Sequence, residues 1–256
     1  MKITNLINDV KALSHLPKVE ISLMGSSTEA NNIFYSEIVK KYYASTRRRY
    51  KRFPLLRENT YGVALCKLPA DYNTYFMMIE AAARRNQKKA VRLGYTFQRI
   101  NYNDYLHDVS DVIKSTDHRQ GKMPDSILNA EIKPCTDPAS NTNVHDYPYF
   151  GVLREGKLFA YASCMVSGEI CMLATIYGHA DCVSDGIVPM LIIGIAEYIY
   201  GHYPYVKYYS YGNYFGATES MRRFKRKFAY LPHQVHWYID KQPTNARLDN
   251  KTDGSE

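Results

Sequence analysis

The clearest hydrophobic pattern lies mid-chain, where YFGVLRE, KLFAYASCMV and EICMLATIY form three β-rich runs. Glu155-Gly156 and Ser167-Gly168 separate them where tight turns are expected, which predicts an antiparallel meander. Upstream, Pro69 and then Asp71 mark a helix start with Asp71 as N-cap. Tyr75, Met78, Ile79, Ala82, Ala90 and Leu93 fall on one face of that helix until Gly94 ends it. TFQRI then reads as a strand, YNDYLHDVSDVIKST as a second helix and DHRQGKMP as a polar loop. The apolar run from Gly186 to Tyr200 falls short of the ~20 uninterrupted apolar residues of a membrane span, so it predicts a buried helix. VKYYSY and HQVHWYI read as strands on either side of ESMRRFKRKFAYLP, where Met221, Phe224 and Phe228 recur at helical spacing.

The first 60 residues carry weaker signals: VEISLM reads as a strand, and IFYSEIVKKYYASTRRRYKRF as a helix running into a basic loop. Three parts are therefore expected. Residues 1–64 form an N-terminal extension, partly helical and basic. Residues 65–240 form an α/β (α+β) domain, a mixed and mainly antiparallel sheet with the meander at its centre and helices around it. Residues 241–256 form a disordered tail too polar to pack.

A chain of 256 residues with 45% hydrophobic content can bury a core. Its net charge of +8 and pI near 9.1 favour polyanionic partners such as nucleic acid or phosphorylated carriers. The five cysteines are odd in number and widely spaced, as expected of reduced, buried thiols in a cytoplasmic protein. The N-terminus lacks the apolar core of a signal peptide, and no membrane association is expected. His233 and His236, three apart on a strand, face opposite sides and cannot share a metal, so no metal site is expected. There is no G-x-S-x-G, P-loop or G-x-G-x-x-G motif to support a hydrolase, NTPase or dinucleotide-binding reading. The 24 tyrosines can stack on bases or sit half-buried at the surface.

Four stretches, in order, carry a resemblance: RRNQKKAVRLGY, FGVLREGKLFAYASCMVSGE, GHADCVSDGI with the apolar helix after it, and FKRKFAYLP. Together they resemble the GNAT acyltransferase superfamily, and within it the Fem-type aminoacyl transferases. The resemblance implies a GNAT-like fold and an N-acyltransferase. The enzyme would move an acyl or aminoacyl group from acyl-coenzyme A (acyl-CoA) or aminoacyl-tRNA to a primary amine acceptor, without a metal. It places a donor-binding loop at Thr175, Gly178, Ser184 and Gly186, where backbone N–H groups at a helix N-terminus would cradle phosphate. The loop departs from the superfamily's Gln or Arg followed by two spaced glycines. Asp181 and Asp185 stand between Gly178 and Gly186, and carboxylates repel a pyrophosphate. Aminoacyl-tRNA would suit the basic surface, although Fem-type enzymes usually have two GNAT-like halves and this chain has length for one.

Individual residues carry paired readings. Lys225 lies roughly 40° from Met221 on the helical wheel, at the edge of the buried direction, while Arg222, Arg223, Arg226 and Lys227 point to solvent. Lys225 either stabilises a developing oxyanion or donor phosphate, as the FK signature implies, or is a snorkelling lysine. Arg119, with Gln120 beside it and Gly121 allowing close approach, could clamp a phosphate or carboxylate. His179 could be a general base or cap a strand end, and Asn213 could bind substrate or make a turn. Tyr214 lies in the region where many GNAT enzymes keep a tyrosine general acid. An alternative function is a non-catalytic nucleic-acid-binding module built from the basic clusters at 47–52, 84–89 and 222–227.

Overall fold

Strand β1 (Lys18–Ser22) is the first element of a computed structural model that describes residues 15–27, 32–50, 53–57, 59–119, 121–136, 141–215 and 217–240. Gln120, part of the 47–52 cluster and the tail at 241–256 lie outside the described residues. A π-helical segment, Phe34–Val39, runs into α1 (Lys40–Thr46). A hairpin of β2 (Arg49–Tyr50) and β3 (Phe53–Arg57) follows where a basic loop was expected, and then β4 (Tyr61–Lys67). Helices α2 (Tyr72–Met78) and α3 (Ala81–Arg92) lead to β5 (Thr96–Ile100), α4 (Leu106–Lys114) and α5 (Asp125–Leu128). Next come β6 (His145–Asp146) and the meander of β7 (Tyr149–Arg154), β8 (Lys157–Ser167) and β9 (Ile170–Gly178). Helix α6 (Ile187–His202), β10 (Tyr208–Asn213), α7 (Glu219–Lys227) and β11 (Leu231–Tyr238) complete the order.

The main sheet has nine strands in the order β1-β11-β4-β10-β9-β8-β7-β5, with β6 added beside β8. Only the β1–β11 and β9–β10 pairs are parallel, so this is the mixed, mainly antiparallel sheet with a central meander that the pattern predicts. Glu155 (φ 53°) and Gly156 (φ 78°) make the first hairpin turn in the left-handed region such turns require. The second turn is Gly168-Glu169, one residue later than expected, because Ser167 still pairs with Ile170. Alternation along β8 divides the core. Ala160, Ala162, Cys164 and Val166 join the large cluster under α2, α3 and α6. Met165 faces a second cluster beneath Phe34 and Val39, and Tyr161 a third beneath α4.

Two helical readings are corrected. The single helix expected between Asp71 and Gly94 is two, broken at Ile79 (ψ 154°) and Glu80. Arg84 reaches back to the carbonyls of Phe76, Met77 and Ile79 and so satisfies the end of α2. The break resets the register: Ala83 is buried instead of Ala82, and Met78 and Leu93 are exposed. Asp71 does cap α2, accepting from the Thr74 N–H at 2.9 Å. Lys225 of α7 and Phe228 just after it are buried, while Met221 and Phe224 are only partly so; the lysine sits inside the fold because its ammonium finds a backbone carbonyl there.

Candidate active site

The β9–β10 ladder runs only from Ile170/Tyr208 to Met172/Ser210, and each strand is irregular just beyond it. On β9, Leu173 faces Cys164 and Thr175 faces Ser163, so Ala174 is an extra residue. On β10, Ser210 faces Leu65 and Asn213 faces Val63, so Tyr211 and Gly212 together oppose Ala64; Gly212 takes φ 56°. Bulges of this kind end pairing and bend a strand. Two bulges side by side part β9 from β10. Cavities of ≈ 830 Å³ and ≈ 430 Å³ open on the gap, and Ala174 lines both.

The larger cavity is bounded by Thr175, Tyr177 and Gly178 of β9, Val188 and Pro189 at the start of α6, and the loop holding Arg119 and Lys122. Arg119 donates to the carbonyls of Gly178 at 3.0 Å and Val112 at 2.5 Å, and its guanidinium lies 4.9 Å from the Tyr177 ring centroid. Its Nε is buried without a partner, and no described carboxylate forms an ion pair with it. Burial lowers the Arg119 pKa, because leaving water disfavours the cation; the neighbouring Tyr177 and Tyr161 act in the opposite sense. Lys122 adds a second cation at the rim.

Helix α6 begins at this cavity. Gly186 caps it with φ 91°, and a Cβ there would stand 2.1 Å from the Asn86 carbonyl oxygen, so α3 and the loop approach as only glycine allows. The free N–H groups of the first helical turn carry partial positive charge. Asp185 is turned onto other partners: it accepts from the Tyr95 hydroxyl at 3.0 Å and lies 3.6 Å from Lys89 Nζ, which also donates to the Ser184 carbonyl. The Asp181 side chain is exposed. The repulsion expected of two carboxylates is thus partly offset within the protein.

Glu37, Tyr42, Tyr147, Ser210 and Asn213 help line the smaller cavity, and Glu37 is ion-paired with Lys41. Lys225 lines neither cavity. Its Nζ donates to the Asn213 carbonyl at 2.6 Å and lies 5.0 Å from the Tyr211 ring centroid, and burial pushes the ammonium down to about 8. Tyr214 is buried and its hydroxyl accepts from Arg226 at 2.8 Å. His179 packs 6.3 Å from the Phe159 ring; its buried Nδ1 makes no hydrogen bond and lies 3.9 Å from Asp181 Oδ2.

Arg119, Thr175 and Gly178 therefore meet at the larger cavity, and Asn213 lines the smaller one. Lys225, His179, Tyr214, Ser184 and Gly186 are absent from either lining. The arginines of α7 are also not free: Arg223 pairs with Glu80, Arg226 with Glu219, and Arg222 donates to the Ala217 carbonyl. Exposed Arg85, Lys88 and Arg92 remain on α3 beside Asn86, which lines the larger cavity. The sequence reading missed Ala174 and Tyr211. Gly212 within a strand pattern was the available sign of a bulge on β10; nothing in ICMLATIY marks the one on β9.

No protein-family model matches the sequence, and a search of curated proteins gives no match. Among solved structures, FemX is 9% identical over 67% of this chain and 59% of its own, with a TM-score of 0.49. A C-terminal domain from Agrobacterium fabrum, described as that of a lysylphosphatidylglycerol synthetase, is 17% identical over 69% and 58%, with a TM-score of 0.45. A tandem GNAT protein from the clavulanic acid biosynthesis pathway is 13% identical over 55% and 43%, with a TM-score of 0.38. The chain spans less than two thirds of the length of each.

Proposed function

We propose that the chain is an N-acyltransferase whose donor and acceptor meet in the gap between β9 and β10. The observation that carries this reading is the pair of adjacent bulges, with two cavities that share Ala174. Group transfer needs the amine nitrogen held against an activated carbonyl, and a gap entered from two cavities brings two substrates together without a covalent intermediate. The larger cavity suits a phosphate-bearing carrier, with Arg119, Lys122 and the first turn of α6 supplying positive charge. Backbone N–H groups of β9 beyond the bulge, near Thr175 to Gly178, polarise the acyl carbonyl. The smaller cavity takes the primary amine. Its nitrogen bonds to the acyl carbon, and the carrier's sulfur or oxygen departs as the thiol or hydroxyl with the proton that the amine loses. Lys225 acts from behind β10 by fixing the Asn213 carbonyl, and His179 and Tyr214 support the walls.

Acyl-CoA and aminoacyl-tRNA share the chemistry that this cavity selects, and calorimetry separates them. Acetyl-CoA, aminoacylated tRNA and uncharged tRNA are titrated in parallel. Saturable binding of acetyl-CoA, or tighter binding of aminoacylated than of uncharged tRNA, supports the transferase. Equal binding of both RNAs with no coenzyme A binding contradicts it. That result favours a nucleic-acid-binding module, a reading supported by the exposed Arg85, Lys88 and Arg92. Among the described residues no helix is long and apolar enough to cross a membrane.

A further inference from the structure

The ladder between β4 and β11 ends at Tyr61 and Gln234, with the Val235 N–H still donating to the Thr60 carbonyl at 2.8 Å, and these two strands, α1 and β3 border a separate cavity of ≈ 500 Å³. Its lining combines the rings of Tyr43, Tyr61 and Trp237 with the side chains of Arg47 and Arg57, and includes no carboxylate among the described residues. Among the described residues the charges around it are unbalanced. Arg57 stands directly opposite Arg49 in the β2–β3 ladder, an arrangement of like charges that destabilises a ribbon. Among the described residues no ion pair joins Arg47, Arg49 or Arg57 to a carboxylate, and Arg47 lies 5.7 Å from the Tyr43 ring centroid.

The aromatic wall is held in place beforehand. The Trp237 indole N–H donates to the Asn59 carbonyl at 2.7 Å, and its ring meets Tyr42 edge-on with centroids 5.2 Å apart. A fixed ring loses little freedom when a second flat ring lies against it. Exposed guanidinium groups with no counter-ion among the described residues call for an anion, and an aromatic lining calls for a planar aromatic group. The volume lies within the ~300–1,000 Å³ usual for small-ligand sites, and a bare inorganic anion would leave the rings unused.

We propose that this cavity is a second site, independent of the transfer reading, that binds a phosphorylated nucleoside. Arg47 and Arg57 hold the phosphate, and the base lies against Tyr61 and Trp237. A free nucleotide and one residue of a single strand present this same chemistry.

Trp237 is the only tryptophan of the chain, so its emission reports on the site directly. The full chain is titrated with AMP, adenosine, inorganic phosphate and a short single-stranded oligoadenylate, and Trp237 fluorescence is followed. A saturable change is expected with AMP or the oligonucleotide. Adenosine and phosphate should each bind at least about tenfold more weakly, since each lacks one half of the recognition. Tighter binding of the oligonucleotide assigns the site to a strand, and equal binding per nucleotide assigns it to the free compound. R47Q/R57Q, with unfolding checked by circular dichroism, should weaken AMP binding by a similar factor. No response to AMP or oligonucleotide overturns the proposal, as does phosphate binding as tightly as AMP, or unchanged affinity in a folded double variant.

Discussion

The ammonium of Lys225 donates to the backbone carbonyl of Asn213 at 2.6 Å from inside the fold, outside the lining of both cavities. This contact ties α7 to the end of β10 just after the Tyr211-Gly212 bulge, so the shape of the gap depends on a residue that does not line it. Lys225→Met keeps the stem and removes the donor. Turnover should fall about tenfold or more with little change in donor affinity, the size of a lost charge-assisted hydrogen bond. Steady-state kinetics checks it; a rise in donor KM at unchanged kcat would place Lys225 at the donor instead.

The same residue sets a pH dependence. Burial lowers its pKa to about 8, whereas an unfolded lysine titrates near ~10.4. Below pH ~8 both states carry the proton, and the burial cost is fully present. Between pH ~8 and ~10.4 the unfolded state binds more protons, so this group's contribution to stability becomes more favourable as pH rises. Urea unfolding of wild type and Lys225→Met across this range should show the wild type gaining on the variant. Transfer should decline above pH ~8 as the charged donor is lost.

Arg119 is predicted to hold the donor. Arg119→Ala should raise donor KM about tenfold with a smaller effect on kcat. Arg119→Lys should recover little, because one ammonium cannot bridge the Gly178 and Val112 carbonyls and an anion as the fork does. Recovery of wild-type KM in the lysine variant would reduce Arg119 to a point charge.

Gly186→Ala places a methyl group against the Asn86 carbonyl and a side chain at φ 91°. A loss of about 2 kcal/mol or more is expected in urea unfolding, since the contact is with backbone and cannot be relieved by a rotamer change. An unchanged midpoint would mean that the loop and α3 separate readily.

What the sequence shows plainly is what neighbouring residues decide. The meander, its Glu155-Gly156 turn and the Asp71 cap all follow from alternation and turn chemistry within a few positions. The break between α2 and α3 does not. The Glu80 N–H donates to the Lys227 carbonyl and its carboxylate pairs with Arg223, so an element more than a hundred residues away fixes the kink. The bulge at Ala174 is likewise a property of its pairing with β8. Helical periodicity put Lys225 at the edge of the core, but the carbonyl that lets it sink further belongs to another strand. Arg119 and Gly178 were legible singly; their contact was not, because 59 residues separate them.

The gap itself can be closed by a single side chain. Ala174 is exposed and lines both cavities, and Ala174→Phe would fill the passage without burying a polar group. The decisive measurement is transfer of a labelled acyl group to a primary amine by wild type and A174F, with acetyl-CoA and aminoacyl-tRNA as parallel donors. Wild type should transfer from one of them, and the folded variant should still bind that donor yet transfer at least about a hundredfold more slowly, because carbonyl and amine no longer meet. Equal rates in the two proteins, or no transfer by wild type from either donor, would contradict a transfer site between β9 and β10.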